Sequence, residues 1–280
     1  MSPAVSSILS LVLCAILWSI GGLFIKMVDW TPIGIAGLRS LLGGLTILLF
    51  VRKPKITFSV PQLLAALCNA STMILFVYAN KLTTSANAIL LQYGAPLYVA
   101  VFAWILLKEK PNWEQWIGLL LILGGMVLFF REKVAPGNAV GNILAVISGF
   151  TFAFYTIFMR MQKEGSPVES ILLSHALVFL FSLSWIVRVP PSLSLEGWTA
   201  LVVLGVFQIG ISSVLFARGI KNVPAIQTML ITTLEPILNP LWVFLFLNEK
   251  PSTNALMGGA LIILAVLFSS LVSAHRARRG

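Results

Sequence analysis

Charge is what this sequence has least of. Only 10% of its 280 residues are Asp, Glu, Lys or Arg, where a soluble domain carries about 25%. The chain is 58% apolar with a mean hydropathy of +0.97. That leaves too little polar surface to cover a water-soluble globule. Cysteine is scarce too: Cys14 and Cys68 both lie inside apolar runs. This excludes a disulfide framework or a cysteine metal site, and both read as small buried hydrophobes. His-Glu-x-x-His, Gly-x-Ser-x-Gly, a Walker-type loop and an acidic metal cluster are all missing. Catalytic residues, metals and cofactors are therefore not expected, nor is ATP-driven pumping by this chain alone. No Lys or Arg precedes Lys26, so the start lacks the basic region of a signal peptide and reads as a first membrane span. The net charge of +10 sits in short clusters between apolar runs, without the basic stripe that a nucleic acid would need.

What is present is long apolar runs. About 20 apolar residues, at roughly 1.5 Å each, cross the hydrocarbon. Ten stretches qualify: 5–27, 32–51, 61–80, 85–107, 113–130, 139–160, 167–187, 197–217, 224–247 and 253–274. Breakers such as Lys53-Pro54-Lys55, Lys110-Pro111 and Pro190-Pro191 separate them. The runs are continuous, whereas barrel strands would alternate. The expected fold class is an all-α polytopic membrane protein with ten transmembrane helices. With the N-terminus inside, 12 of the 19 Lys and Arg fall on the cytoplasmic side, 6 on the far side, and Arg39 within a span. That bias places both termini in the cytoplasm.

The chain also repeats itself. Shifted by 140 residues, LLQYGAPLYVAVFAWILLKEKP (90–111) falls on LITTLEPILNPLWVFLFLNEKP (230–251). Pro96 meets Pro236, and Glu109-Lys110-Pro111 meets Glu249-Lys250-Pro251. Two five-helix copies follow, 1–133 and 134–280. Five is odd, so the second copy enters the membrane from the opposite side. Inverted repeats of this kind characterise many secondary transporters, with the substrate near the midplane between halves.

These residues resemble the ten-helix EamA-type branch of the drug/metabolite transporter superfamily. The likeness covers nearly the whole chain and rests on the mid-span Pro and Glu-x-Pro turn of each half, Leu234-Glu235-Pro236 and Arg39. The resemblance implies a basket of helices around a central cavity, and export of small metabolites, often amino acids, across the cytoplasmic membrane. Small-molecule substrate and lipid bilayer are the expected partners, with a homodimer left open and nucleic acid not expected. An organic-cation carrier and a non-transporting membrane scaffold are the alternatives.

Glu235 is the conspicuous residue. A mid-span carboxylate costs a few kcal/mol, so it carries a proton or cation, or bonds backbone freed by the neighbouring prolines. Pro96, Pro236 and Pro240 interrupt the helical ladder. They act as hinges or as static kinks, with Gln92, Tyr93 and Asn239 at hand for the freed carbonyls. Tyr78, Tyr93 and Tyr155 fall within spans, as do Trp18 and Trp104; each either faces a cavity or packs. The candidate substrate set is thus Trp18, Tyr78, Gln92, Tyr93, Trp104, Tyr155, Glu235 and Asn239. Asn87 and Gln227, near the starts of corresponding spans, frame candidate gates. Gln208 reads as interhelical glue and His175 as locally satisfied. The family counterpart of Arg39 sits on a span outside the central cavity, so Arg39 is expected to snorkel or serve the structure. Pairing with a substrate carboxylate is the other reading.

Overall fold

The computed structural model describes residues 3–51, 53–83, 85–130, 138–164, 167–238 and 253–279. Among these the secondary structure is helical throughout. Seven apolar helices are long enough to cross a bilayer, and three shorter ones occupy the remaining expected stretches. The first span is α1 (Pro3–Ser19) with α2 (Gly21–Met27), followed by α3 (Pro32–Phe50) and α4 (Val60–Leu82). The fourth is broken into α5 (Ser85–Gln92) and α6 (Ala95–Leu107); α7 (Trp113–Phe130) completes the first half. The second half runs α8 (Ala139–Met161), α9 (Val168–Arg188) and α10 (Leu195–Val203). A π segment (Leu204–Ile211) continues α10 into α11 (Ser212–Asn222). Next come α12 (Ala225–Thr232), a further turn over 235–238, and α13 (Thr253–Arg279). The 133/134 boundary, Asn239, Pro240 and the second Glu-Lys-Pro lie outside the described residues.

Local chemistry explains the helix ends. Thr31 accepts from the Gly34 amide to open α3, with Pro32 in the first turn, and Asn138 accepts from Val140 to open α8. Lys108 closes α6 in the left-handed region at φ 58°, where the Glu109 amide reaches back to the Ala103 carbonyl at 3.3 Å. A non-glycine residue there is strained. Lys108→Gly is expected to raise stability by about 0.5–1 kcal/mol, read as a higher melting temperature in detergent.

Loop contacts sort onto two faces. On one, Asn222 donates to Ser7 at 2.9 Å, the Lys55 amide to Glu169 at 3.1 Å, and Gln162 to the Pro61 carbonyl at 3.3 Å. On the other, Trp30 donates to the Val189 carbonyl at 3.0 Å and Thr83 to Asn142 at 2.7 Å. Each loop falls on the side that strict alternation of ten spans requires. Glycine lets the spans close. A methyl on Gly125 would stand 3.0 Å from the Gly258 carbonyl, and one on Gly258 would stand 2.5 Å from the Gly125 carbonyl. This close backbone approach joins α7 to α13. The neighbouring Gly124 faces open space instead.

The outer surface is apolar. Leu97, Val101, Trp104 and Ile105 share one exposed face of α6. Such faces suit lipid, which gives the bundle no hydrophobic reason to hide them.

Candidate functional site

The two proline-broken spans carry the site. The ladder fails at Tyr93-Gly94 in one and at Thr233-Leu234 in the other, which are positions 140 residues apart. The backbone repeats around both breaks. The Gly94 amide donates to Leu91 and the Leu97 amide to Gly94; equivalently, Leu234 donates to Ile231 and Ile237 to Leu234. Pro96 and Pro236 have no amide to offer the carbonyls four residues earlier, those of Gln92 and Thr232. Inside a bilayer such groups must find protein partners. The Gln92 carbonyl sits against α8, where a methyl on Gly149 would lie 2.6 Å away. The Gln92 side chain donates to Ser148 on the same helix at 2.7 Å.

The breaks meet each other. Tyr93 Oη donates to Glu235 Oε2 at 2.5 Å, across 142 residues of sequence. This short contact ties the first repeat to the second where both helices are interrupted. Tyr93 is buried, whereas Glu235 keeps partial exposure. Cys14 is fully buried in the same core as Tyr93. Next to them rises an aromatic stack. Trp18 lies 5.4 Å from Phe216, and Tyr155 lies 5.4 Å from the same ring at 15°. Trp18 Nε1 donates to Ser212 at 2.9 Å, which fixes its ring. The arrangement therefore offers a carboxylate, a phenol and a flat apolar wall. Those groups suit an ammonium group and an attached apolar or aromatic body.

Of the expected substrate set, the structure gathers Tyr93 and Glu235, with Trp18, Tyr155 and Gln92 close by in the same core. It separates two others. Trp104 is 51% exposed on the lipid-facing side of α6, with Lys110 Nζ 5.4 Å from its ring; this is an interfacial anchor geometry. Tyr78 is 42% exposed and outside the aromatic stack. Of the gate residues, Gln227 is fully buried and donates to Ser269 at 3.1 Å, tying α12 to α13. Asn87 lies on α5, and its side chain falls outside the described residues, as do Asn239 and Pro240. Pro96 and Pro236 are buried directly after the breaks.

Two expectations are corrected. Arg39 does not snorkel. It is the eighth residue of α3, and α3 packs closely on α9 and the π segment through Gly43, Gly44 and Gly205. The residue is 6% exposed, and its buried Nε has no partner. His175 is not satisfied locally either: both ring nitrogens are buried without a hydrogen bond. Sequence reasoning also passed over Phe216, which looks like any other apolar span residue, and Cys14. The π segment around Gln208 left no sequence signal.

This fold and site define a class: a ten-span membrane bundle of two repeats, whose broken helices meet at an intramembrane carboxylate, has the layout of secondary transporters. The chain belongs to the EamA-like transporter family, which it matches over residues 5–131 and again over 139–271. It is 28% identical over 253 residues to an uncharacterized transporter, YwfM, of Bacillus subtilis, covering 86% of this chain and 84% of that one. It is 25% identical over 272 residues to the pseudopaline exporter CntI of Pseudomonas aeruginosa, covering 94% and 95%. Human solute carrier family 35 member G1 is 24% identical over 284 residues, covering 90% and 75%. A crystal structure sharing 21% identity superposes with a TM-score of 0.84 over 96% of this chain and 98% of the other, which establishes the shared fold.

Proposed function

We propose that the protein is a secondary transporter that carries small metabolites, amino acids foremost, outward across the cytoplasmic membrane. Both termini lie in the cytoplasm in this reading, and the halves divide between residues 133 and 134. Rocking of one repeat against the other opens the central site to each face in turn. The observation that carries the reading is the Tyr93–Glu235 bond between equivalently broken spans. A contact that links the repeats at their discontinuities must change when the repeats move. The names of the relatives support the transporter class and, in one case, export of a metabolite.

The test is counterflow in proteoliposomes with an amino-acid panel. Movement of at least one member is expected, and movement of none rejects this substrate class. Glu235→Gln is expected to cut transport at least tenfold with the fold intact. Tyr93→Phe should have a smaller effect, since it keeps the carboxyl group and removes one hydrogen bond worth about 0.5–1.5 kcal/mol.

A second reading, an organic-cation carrier, is supported by Glu235 beside the Trp18–Phe216–Tyr155 stack. Choline uptake that survives Glu235→Gln unchanged would discard it.

A further inference from the structure

Opening a central site to one face means parting, on that face, the spans that surround it. Here those spans are joined by one buried ion pair. Arg160 stands at the end of α8, and its Nε donates to Glu109 Oε1, just beyond α6, at 2.7 Å. The second oxygen of Glu109 accepts from the Ala225 amide, where α12 begins, at 2.9 Å. Arg160 Nη1 donates to the Ile220 carbonyl at 2.9 Å and to that of Lys221, near the end of α11. The four spans held together in this way are the ones that bear Tyr93, Tyr155, Phe216 and Glu235. Arg160 follows Tyr155 by five residues and Ile220 follows Phe216 by four. The pair therefore lies roughly 6–8 Å beyond the aromatic stack, measured along the helices.

That end of the site is shut. Met159, Ile220, Ala225 and Ile226, which neighbour these contacts in sequence, are buried, and the two charged side chains are 10% and 20% exposed. Glu235 and Trp18 keep partial exposure. The pair also crosses between the repeats: Glu109 falls in the first segment that matches the family, and Arg160 and Ala225 fall in the second. On the opposite face, the described bonds between repeats are neutral, from Trp30 to the Val189 carbonyl and from Thr83 to Asn142.

Charge suits a contact that has to open. A buried ion pair gains Coulomb energy and forgoes hydration, and the two nearly cancel. When the helix ends part, water takes the place of each partner. Exposing an apolar seal of the same extent has no such offset.

We propose that Glu109 and Arg160 form the cytoplasmic latch of the carrier, made while the site is closed to the cytoplasm and broken when it opens there. This rests on the carrier reading and its orientation, and names what holds one of the two states. The Tyr93–Glu235 bond lies at the site; the latch lies at its exit.

The test asks which face reaches the site, and it needs no substrate. The full chain carries one reporter thiol, Leu234→Cys, at a half-buried position beside Glu235. Cys14→Ala and Cys68→Ala remove the native thiols. A membrane-impermeant thiol reagent is applied to right-side-out and to inverted membrane vesicles. With the latch intact, labelling is expected to be faster from the far side. Glu109→Gln removes the countercharge, so labelling from the cytoplasmic side should rise by roughly tenfold or more, with no rise from the far side. Arg160→Lys keeps the charge but loses the guanidinium that serves Glu109 and two carbonyls at once, and it should act in the same direction by less.

A rise from both faces alike overturns the proposal, because it marks a loosened bundle and not a shifted equilibrium. Unchanged labelling in Glu109→Gln also overturns it, as does a parent chain that is not labelled faster from the far side. Where Glu109→Gln does not fold, Arg160→Lys decides by the same one-sided rise. A one-sided rise in a chain that moves no amino acid would sink the amino-acid reading and leave the latch. Amino-acid transport with unshifted labelling would do the reverse.

Discussion

Arg160→Met is expected to destabilise the protein by about 3 kcal/mol, the low end for breaking a buried ion pair by removing one partner. Arg160 stands at the end of α8. Its Nε donates to Glu109 Oε1 at 2.7 Å, and its Nη1 donates to the carbonyls of Ile220, at 2.9 Å, and Lys221. Glu109 follows α6, and its second oxygen accepts from the Ala225 amide at 2.9 Å, where α12 begins. One ion pair therefore pins four spans on a single face of the membrane, at the ends of α6, α8 and α11 and the start of α12. Its loss strips a largely buried carboxylate of its countercharge, leaving it the Ala225 amide alone, and takes a donor from two carbonyls at once. Side-chain exposures of 10% and 20% keep screening low. The low end of the range is chosen because Glu109 retains that contact with water. The measurement is a melting series in detergent, with the double variant Glu109→Gln/Arg160→Met as control. The double variant should recover part of the loss, because it removes the stranded charge as well. Equal losses in single and double variants would mean that the pair contributes nothing through its charge.

Gly149→Ala carries the second large effect, and here the loss is one of function. The added methyl would stand 2.6 Å from the Gln92 carbonyl and 3.1 Å from its Cα. The obstacle is backbone, so no rotamer change relieves it. Either α8 or the broken fourth span must move, and Tyr93 is the next residue along. A shift of a few tenths of an ångström there loosens a 2.5 Å bond to Glu235. Gly258→Ala supplies the comparison. Its methyl would meet the Gly125 carbonyl at 2.5 Å and the Phe129 amide at 2.6 Å, on the α7–α13 contact away from the breaks. Both substitutions should cost about 1–3 kcal/mol, as overpacking does. Only Gly149→Ala should also cut transport by an order of magnitude in the fraction that remains folded. Comparable transport per folded molecule in the two variants would show that the α8–Gln92 contact does not govern the site.

The architecture was legible because it depends on quantities that a sequence displays directly. A span needs length and continuous apolarity, and among the described residues each of the ten expected stretches falls on helix. A loop contact such as Thr83–Asn142 falls on the face that alternation assigned to it. The 140-residue offset placed Pro96 over Pro236, and the backbone breaks appear at matching positions. A proline lacks its amide wherever it stands, so the break needs no tertiary information. Glu235 stood out for the same reason: an acid within an apolar run is costly in any packing.

Direction was not legible. In a span that is apolar all round, periodicity says nothing about which face looks inward. Tyr93, Tyr155, Tyr78 and Trp104 were therefore equivalent on paper. Packing sent the first two into the core and the last two toward the surface. Phe216, one of 18 phenylalanines, had no mark to distinguish it.

By itself, then, the sequence determined that this chain lives in a membrane, crosses it ten times, repeats its first half in its second and interrupts one span of each half. Those are consequences of hydrophobic length and of covalent chemistry at single residues. Only the tertiary structure decided that Tyr93 reaches Glu235, that Arg160 clamps Glu109, and that Arg39 lies buried with its Nε unpaired. The reason is physical. Burial and pairing are properties of two surfaces brought together, and residues 142 or 51 positions apart become neighbours only when close glycine contacts let their helices meet.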